Sequence, residues 1–387
     1  MFLLIILWII SFMFSFGVAG FILIAMKRAA KKSWNVKIDR NYKPKISIII
    51  PTYNEANIIQ PKLENLIKVN YPKDLIQVII VDSCSEDQTV FLAGEFAKLH
   101  PEMRIQILTQ GQREGKSAAL NFALKHCNGD VIIVSDADCF WPSDILEKAL
   151  PFLADPTVGA ISGPKILLNS NQTWITRSEA KYLNSMNLIK LGESKIDSTL
   201  FFEGGFSAYK KEALTSFDPY NTGSDDCGTV INIIEKGYRS IIIPEARFYS
   251  TFVATWKEKT LVKIRRANQL IRVFGKYLRL LVKGDVKKSQ KNVIRGVFLY
   301  IICPLMFISL IITFMLLLLQ APILIFLFVL FFLFPRLNVY ILELIQSYLF
   351  LLLSMAMVVF NKKFIKWEKP KDRCFVSEHL LREYKLI

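Results

Sequence analysis

Two long apolar segments constrain the fold of this chain more than any other feature of its sequence. Residues 1–26 carry no charged side chain, and residues 293–360 carry only Arg295, Arg336 and Glu343. A helix needs about 20 consecutive apolar residues to cross the hydrocarbon core of a bilayer. With 52% hydrophobic and 21% charged residues and a mean hydropathy of +0.33, the composition excludes a disordered chain and an ordinary soluble enzyme. We therefore predict a membrane protein.

The basic residues after the first apolar segment predict its orientation. Lys27, Arg28, Lys31 and Lys32 follow the apolar run, whereas a signal peptide has its basic residues before that run and a cleavage site after it. We therefore expect residues 1–26 to remain as an N-terminal transmembrane helix. Because Lys and Arg favour the cytosolic side, the domain that follows is predicted to be cytosolic, on a multi-pass protein of the cell membrane.

The second apolar segment, residues 293–360, allows two or three C-terminal transmembrane helices. Breaks at residues 320–322 and 335–336 suggest pieces at about 294–319, 321–335 and 338–360, of which the middle one is short for a full span. The tail, residues 361–387, is basic, which favours a cytosolic end and an even number of crossings after the cytosolic domain. Three crossings would put this tail outside.

Residues 44–256 have the pattern of an α/β domain. Short runs rich in Ile and Val alternate with helix-length segments such as 55–69 and 89–99, which is typical of a mostly parallel sheet. A domain of this size can form a sizeable core without disulfides. The predicted strands are Ile46 to Ile50, Val78 to Val81, Ile105 to Leu108, Val131 to Val134 and Ser240 to Ile243.

The charge of the chain is concentrated between the α/β domain and the second apolar segment. The net charge is +16, and residues 257–295 hold thirteen Lys or Arg against two acids, a local net charge of +11. Apolar residues interleave with these charges, so residues 257–292 are predicted to form basic amphipathic helices at an anionic leaflet, and no nucleic-acid partner is expected. The six cysteines contain no C-x-x-C pair, which argues against a disulfide framework and a zinc site and favours the cytosol.

Acidic and polar residues follow the first two predicted strands. Pro51-Thr52-Tyr53-Asn54-Glu55 comes after the first strand, and Asp82 and Asp87 come after the second. Open α/β sheets bind ligands outside the carboxyl ends of their strands, where an acid can accept a hydrogen bond from a nucleobase and an aromatic ring can stack on it. Alternatively, these acids only cap turns and the next helix.

A second acidic motif follows the strand Val131 to Val134. Asp136 and Asp138 lie one residue apart at the end of this strand. Hard cations such as Mg²⁺ or Mn²⁺ prefer oxygen ligands and retain open positions for phosphate oxygens. The pair therefore predicts a metal-diphosphate site, although acidic turns of this length are also common without a metal.

The order of motifs along the chain resembles that of the inverting, membrane-integrated family 2 glycosyltransferases. This group, with a Rossmann-like GT-A fold, includes hyaluronan, cellulose and poly-N-acetylglucosamine synthases and ceramide glucosyltransferase. The resemblance runs from the first strand to the tail. It rests on Pro51 to Glu55, Asp82 with Asp87, Gly115 to Asn121, Asp136 to Asp138, Glu203 to Gly205, Asp225-Asp226 with Gly237-Tyr238, and Gln269 to Arg272.

The resemblance implies a role for each matching residue. Asp226, next to Asp225, would be the base that deprotonates the acceptor, and Asp136 and Asp138 would bind Mg²⁺ or Mn²⁺. For Asp225 and Asp226 the alternative is a cap of the helix that follows. Glu203, Gly204 and Gly205 would contact the acceptor. The residues implied in binding the nucleotide sugar, most simply a UDP-sugar, are Pro51, Tyr53, Glu55, Asp82, Lys116, Asp136, Gln269 and Arg272.

Two departures from the family pattern bear on the acceptor and the acids. Ser83 stands where the family often has a second acid, and Val273 stands where polymerising members have a Trp that helps to form an acceptor platform. The resemblance implies an inverting, metal-dependent glycosyltransferase whose acceptor is membrane-associated, either a lipid or a growing glycan. The motif set slightly favours the synthase grouping, whereas the missing Trp gives weight to a lipid. The alternatives are a processive polysaccharide synthase that exports its product and, outside the enzymes, a catalytically silent membrane scaffold or transporter subunit. The sequence makes no prediction of oligomeric state.

Overall fold

The computed structural model describes residues 2–284, 291–323, 335–364 and 376–387. The chain divides into two compact units. The membrane unit comprises Met1–Ala25 and Thr260–Lys363, and the catalytic unit comprises Met26–Lys259 and Phe364–Ile387. The predicted 44–256 domain therefore lies within a unit that also includes the end of the described chain.

The catalytic unit is built on a seven-stranded mixed sheet. Its strands lie in the order β3-β2-β1-β4-β7-β5-β8, and β7 alone runs antiparallel to its neighbours β4 and β5. The neighbouring strands β6 and β9 form a separate parallel pair. The strands are β1 (Ile46–Thr52), β2 (Ile76–Asp82), β3 (Ile105–Thr109), β4 (Val131–Val134), β5 (Val158–Ser162), β6 (Lys165–Leu167), β7 (Ser207–Lys210), β8 (Arg239–Ile242) and β9 (Phe248–Ser250).

Helices connect the strands of this sheet, and further helices form the membrane unit. The helices are α1 (Phe2–Phe12), α2 (Val18–Ala29), α3 (Ile59–Ile67), α4 (Thr89–Leu99), α5 (Lys116–Leu124), α6 (Ile145–Ala149), α7 (Trp174–Ile196), α8 (Cys227–Glu235), α9 (Trp256–Lys283), α10 (Lys291–Val297), α11 (Cys303–Gln320), α12 (Pro335–Val359) and α13 (Glu378–Glu383).

The central strands are buried because Ile and Val dominate both of their faces. In β1 the side chains of Ile46 to Ile50 are all buried, as expected for strands covered by helices on both sides. Helix α3 packs its apolar face, including Leu63 and Leu66, into the main core. Leu381 and Leu386 belong to the same cluster, so the segment 376–387 packs against the catalytic unit.

The membrane unit contains helices that are long and apolar enough to cross a bilayer. Among the described residues these are Phe2–Ala29, Val293–Gln320 and Ile341–Val359. A hydroxyl pair, Ser11 and Ser309, connects α1 with α11 at 2.9 Å between the Oγ atoms. The predicted middle piece, 321–335, falls largely on residues 324–334, which lie outside the described residues. The number of crossings therefore stays a prediction.

The structure extends the secondary structure predicted from the sequence. Each of the five predicted strands is present within one or two residues at its ends, and the predicted helix 89–99 coincides with α4. The predicted helix 55–69 is shorter, because α3 begins at Ile59 after a turn. The sheet is mostly parallel, as predicted, and the antiparallel strand β7, which the sequence analysis did not predict, makes it a mixed sheet.

Candidate active site

The loops that follow β1 and β2 interlock through polar side chains. The buried carboxylate of Asp82 accepts hydrogen bonds from Thr52 Oγ1 at 3.0 Å and from the backbone amide of Ser85 at 2.8 Å. Ser85 Oγ accepts from the backbone amide of Asn54 at 2.8 Å, and Thr89 Oγ1 accepts from that of Glu55 at 2.7 Å. The loops that carry Asp82 and Glu55 are therefore joined into one wall at the carboxyl ends of β1 and β2, as their positions at adjacent strand ends predict.

Tyr53 presents a ring at the edge of this wall. The guanidinium carbon of Arg113 lies 3.9 Å from the centre of the Tyr53 ring, within the range of a cation–π contact. Arg113 belongs to the loop that leads into α5 and was not among the residues singled out from the sequence. The pair holds an aromatic face next to the loops that carry Asp82 and Glu55.

Lys116 joins acids that are far apart in sequence. Its Nζ lies 2.7 Å from Asp136 Oδ1 and 2.9 Å from Asp225 Oδ2. Gly115, at φ +99°, provides the left-handed turn that starts α5 at this point. Burial alone would lower the pKa of Lys116, but the two carboxylates outweigh it and raise that pKa well above its ordinary value. Lys116 is therefore a permanent positive charge between the two acidic motifs.

Asp136 and Asp138 form a small acidic cluster after β4. One ligand-type atom from each of Asp136, Asp138 and Cys139 lies within 4.8 Å of the others. Burial, reinforced by the neighbouring acids, raises the pKa of the Cys139 thiol well above its ordinary value, and hard cations prefer oxygen ligands to sulfur. The two carboxylates remain, and their oxygen atoms suit Mg²⁺ or Mn²⁺.

Gly204 and Gly205 allow a close approach of three loops. A Cβ atom added to Gly204 would lie 2.4 Å from Lys116 Nζ and 2.6 Å from Asp136 Oδ2. A Cβ atom on Gly205 would lie 2.1 Å from a ring carbon of Phe248 and 2.8 Å from Cys139 Sγ. The backbone also connects the loops, because the amide of Asp136 donates to the carbonyl of Gly204 at 2.8 Å. The predicted acceptor motif thus borders the acidic cluster.

Glu203 is held by an ion pair with α7. Lys190 Nζ lies 2.8 Å from Glu203 Oε1, and both side chains are largely buried. The pair fixes the start of the Glu203-Gly204-Gly205 segment relative to α7. Lys190 was not singled out from the sequence, because a single lysine in a long helix gives no signal of a distant partner.

The acidic pair Asp225-Asp226 stands at the start of α8, and its two members differ in their contacts. Asp226 Oδ1 accepts hydrogen bonds from the amide of Cys227 at 2.6 Å and from Ser224 Oγ at 3.0 Å, which is a helix-capping arrangement. Asp225 instead contacts Lys116. The capping interpretation is therefore confirmed for Asp226, and the predicted catalytic role of the pair stays a prediction.

Asp218 organises the loop before this pair. Its carboxylate accepts from the amide and hydroxyl of Thr222 at 2.9 and 2.8 Å and from the amide of Gly223 at 2.7 Å. Burial outweighs these bonds and raises the pKa of Asp218. The loop therefore folds back so that its own residues, Thr222 and Gly223, bind the carboxylate of Asp218, a feature that the sequence analysis did not predict.

Gln269 and Arg272 belong to α9 within the membrane unit. Arg272 donates to the carbonyl oxygen of Lys362 at 2.6 Å and to Asn268 Oδ1 at 3.1 Å. Burial lowers the pKa of Arg272, although the group stays charged at any ordinary pH. Val273, next to it, is completely buried. The predicted roles of Gln269 and Arg272 in binding the donor remain predictions.

Residues 47–217 match the sequence model of the family described as Glycosyl transferase family 2. Over this region the match supports the family 2 resemblance predicted from the motifs, and the membrane-integrated subgroup stays a prediction. This match covers the strands and loops that bring Asp82, Lys116 and Asp136 to one edge of the sheet.

Individual relatives support this assignment. The chain is 32% identical over 228 residues to a beta-monoglucosyldiacylglycerol synthase of Synechocystis sp., covering 56% of this chain and 46% of the relative. It is 25% identical over 221 residues to an N-acetylglucosaminyltransferase of Azorhizobium caulinodans, covering 57% of this chain and 55% of the relative. The matched region thus spans about half the length of these curated relatives.

A solved structure resembles most of the chain. The mannosyltransferase PcManGT of Pyrobaculum calidifontis, in complex with GDP-Man and Mn²⁺, has a TM-score of 0.78 and 28% sequence identity. The match covers 93% of this chain and all of that one. Together with the mixed sheet, it confirms the predicted GT-A fold accompanied by apolar helices.

Proposed function

We propose that this protein is an inverting, metal-dependent glycosyltransferase that passes a sugar from a nucleotide sugar to a lipid at the membrane surface. The single observation that carries the proposal is the bridge formed by Lys116 between Asp136 and Asp225. A single side chain, that of Lys116, therefore contacts Asp136 in the motif predicted to bind donor and metal and Asp225 in the motif predicted to supply the base. Acids and a lysine assembled from distant loops can hold a divalent cation and a diphosphate and place a general base nearby.

The donor would lie along the loops after β1 and β2. Tyr53 offers a ring for stacking on the base, and Glu55 and Asp82 offer carboxylates beside it. Pro51 belongs to the same strand end, while Lys116 would contact the diphosphate. We propose a UDP-sugar as the donor, and GDP-Man is the competing donor because PcManGT was solved with it.

The residues at the acidic cluster fit a divalent cation. Asp136 and Asp138 would hold Mg²⁺ or Mn²⁺ through carboxylate oxygens, and PcManGT was solved with Mn²⁺. When bound, the ion would neutralise charge on the leaving diphosphate. Arg272 is proposed to add positive charge there, as the family resemblance implies.

Asp226 is the proposed general base. Its carboxylate would take the proton of the acceptor hydroxyl as the hydroxyl oxygen bonds to the anomeric carbon and the bond to the diphosphate breaks, which inverts the configuration. Asp225, paired with Lys116, would keep that lysine oriented toward the donor. Glu203, Gly204 and Gly205 would border the acceptor, because they lie against the acidic cluster.

A lipid acceptor is favoured by two features of the chain. Val273, at the position of the platform Trp of polymerising members, is buried and cannot present a surface to a glycan. The basic stretch 257–292 suits an anionic leaflet, and a relative is named as a synthase of a glycosylated diacylglycerol. The protein would span the cell membrane several times, with its catalytic unit in the cytosol.

The test is a transfer assay with purified protein in nanodiscs made from native lipids. Labelled UDP-glucose, UDP-N-acetylglucosamine and GDP-mannose are supplied separately, with Mn²⁺ or with a chelator. We expect one donor to give a single product that extracts into organic solvent, and chelation to abolish it. A high-mass ladder would instead establish a processive polysaccharide synthase, and no product with any donor would favour a silent scaffold or transporter subunit.

Variants of the acidic pair test the mechanism in the same assay. Asp226→Asn is expected to lower kcat by about 10³-fold or more, as loss of a general base does. Asp225→Asn is expected to raise the donor KM more than it lowers kcat, because it releases Lys116. Product formation that survives either chelation or Asp226→Asn would contradict the proposed mechanism.

A further inference from the structure

Lys62 is a completely buried lysine on the core-facing side of α3. Ile59, Leu63 and Leu66 on the same helix are also buried, so the ammonium group enters the core of the catalytic unit rather than solvent. A charged side chain is rarely buried to this extent unless polar groups receive it. The groups that bind the ammonium of Lys62 therefore indicate the role of this residue in the structure.

The partners of Lys62 are on the loop that carries the acidic cluster. Its Nζ donates to Ser135 Oγ at 2.6 Å and to the carbonyl oxygen of Cys139 at 2.5 Å. Its Nζ also lies 4.7 Å from the ring centre of Trp141. Ser135 directly precedes Asp136, and Cys139 directly follows Asp138, so the ammonium group holds the loop on both sides of the two acids.

Asn65, one turn further along α3, holds the next part of this loop. Its side chain accepts from the amide of Trp141 and donates to the carbonyl of the same residue, both at 2.8 Å. It also donates to the carbonyl oxygen of Leu386 at 2.7 Å. The Trp141 indole in turn donates to the carbonyl of Gly205 at 2.7 Å. Helix α3 thus binds this loop at three positions, Ser135, Cys139 and Trp141.

A buried charge at position 62 lowers the stability of the fold unless its hydrogen bonds compensate for the cost of burial. Burial lowers the pKa of Lys62 to about 8, which shows that the protein interior disfavours its charged form. An apolar side chain of similar length would avoid this penalty. The two short, charge-assisted hydrogen bonds are what the lysine contributes in return, and both end on the loop of Asp136 and Asp138.

We propose that Lys62 is a positioning residue that holds the Asp136–Asp138 loop in the conformation that binds a divalent cation. This inference rests on the proposed metal-dependent function. Without Lys62, the loop gains freedom that metal binding must remove, so affinity for the cation falls while chemistry at saturating metal is largely retained. A merely structural lysine would affect thermal stability and leave metal binding by the folded protein unchanged.

The experiment measures Mn²⁺ binding to the full-length protein by electron paramagnetic resonance, without donor. Lys62→Met removes the charge and both hydrogen bonds. Ser135→Ala removes one partner of Lys62, together with the 3.1 Å bond from Ser135 Oγ to the carbonyl of Gly205, with little change of shape. Lys68→Met is the matched control, because Lys68 is an exposed lysine at the end of the same helix. Metal concentration for half-maximal transfer and kcat at saturating Mn²⁺ are measured on the same samples.

We expect Lys62→Met to raise the Kd for Mn²⁺ by about tenfold or more and Ser135→Ala by roughly threefold, with Lys68→Met unchanged. Unchanged Mn²⁺ binding in folded Lys62→Met protein overturns the inference, as does tighter binding. If Lys62→Met does not fold, Ser135→Ala decides in the same way. A wild-type protein without a saturable Mn²⁺ site would refute the proposed function itself, which is a distinguishable result.

Discussion

Gly204 and Gly205 are adjacent, yet the structure predicts different consequences for their substitution by alanine. A methyl carbon needs about 3.5 Å or more from its neighbours. In Gly204→Ala, Lys116 Nζ at 2.4 Å and Asp136 Oδ2 at 2.6 Å would each have to move by roughly 1 Å. Both atoms are side-chain ends at the rim of the cluster, so they can move without disturbing the core.

The cost of Gly204→Ala should therefore appear in catalysis. A displacement of about 1 Å at a reacting centre can reduce the rate by about 10²-fold, or roughly 2.7 kcal/mol. The Lys116–Asp136 pair is partly exposed, with side-chain exposures of 32% for both, so its loss costs at most about 1 kcal/mol of folding stability. We expect kcat/KM for the donor to fall by about 10²-fold, with Tm within a few degrees of wild type.

Gly205→Ala should instead reduce stability. The added methyl group would meet Phe248 and Cys139, which are both buried in the core and cannot move outward. Overpacking of this kind costs about 1–3 kcal/mol. We expect a lower Tm, and activity per folded molecule that falls less than in Gly204→Ala. Gly111→Ala is the control, because nothing lies within 4 Å of an added Cβ there.

The assay combines donor titrations with thermal denaturation on the three purified variants. Wild-type kcat/KM in Gly204→Ala would refute the placement of Lys116 and Asp136 at the donor. A loss of Tm in Gly204→Ala as large as that in Gly205→Ala would refute the distinction between a rim position and a core position.

Five further variants test the candidate site and the fold. Asp136→Asn and Asp138→Asn should each raise the Mn²⁺ concentration for half-maximal transfer at least tenfold, and an unchanged metal titration in both would place the metal elsewhere. Tyr53→Ala should raise the donor KM about tenfold, whereas Tyr53→Phe should not. Equal KM values for the two variants would show that the Tyr53 ring does not stack on the nucleobase. Asp155 is buried, but hydrogen bonds from Thr157 and the amide of Lys37 hold its pKa below its ordinary value. The ionised carboxylate therefore stabilises the fold above the unfolded pKa of about 4, and this contribution disappears as pH falls through the folded value. Asp155→Asn should lower Tm at pH 7 with a difference that shrinks below about pH 4, and a difference independent of pH would contradict this assignment.

The strands that carry the donor loops could be predicted because their sequences are unambiguous. Val131 to Val134 is a run of β-branched residues followed at once by Asp136 and Asp138, and the structure places β4 and the acidic cluster there. Strand β7, Ser207–Lys210, has a weak pattern of four mixed residues. It forms a strand because β4 and β5 flank it, which is a tertiary effect that local sequence does not encode.

The connections within the candidate site were harder to predict for the same reason. Asp82, Lys116 and Asp136 follow strands or start a helix, so the fold places them at one edge. The contact of Lys116 with Asp225 depends on a loop more than a hundred residues later, and no local pattern indicates it. Lys62 occupies an apolar position of α3, but a lysine in a helix is usually exposed, and only the packed structure reveals its partners.

The packing of the segment 376–387 has a consequence for biosynthesis. Asn65 in α3 bonds to Leu386, 321 positions later, and Leu381 and Leu386 complete the apolar cluster that begins at Ile46. The residues that complete this cluster therefore leave the ribosome last, after most of the unit has been synthesised. The core of the catalytic unit can close fully only when the chain up to Leu386 has been made.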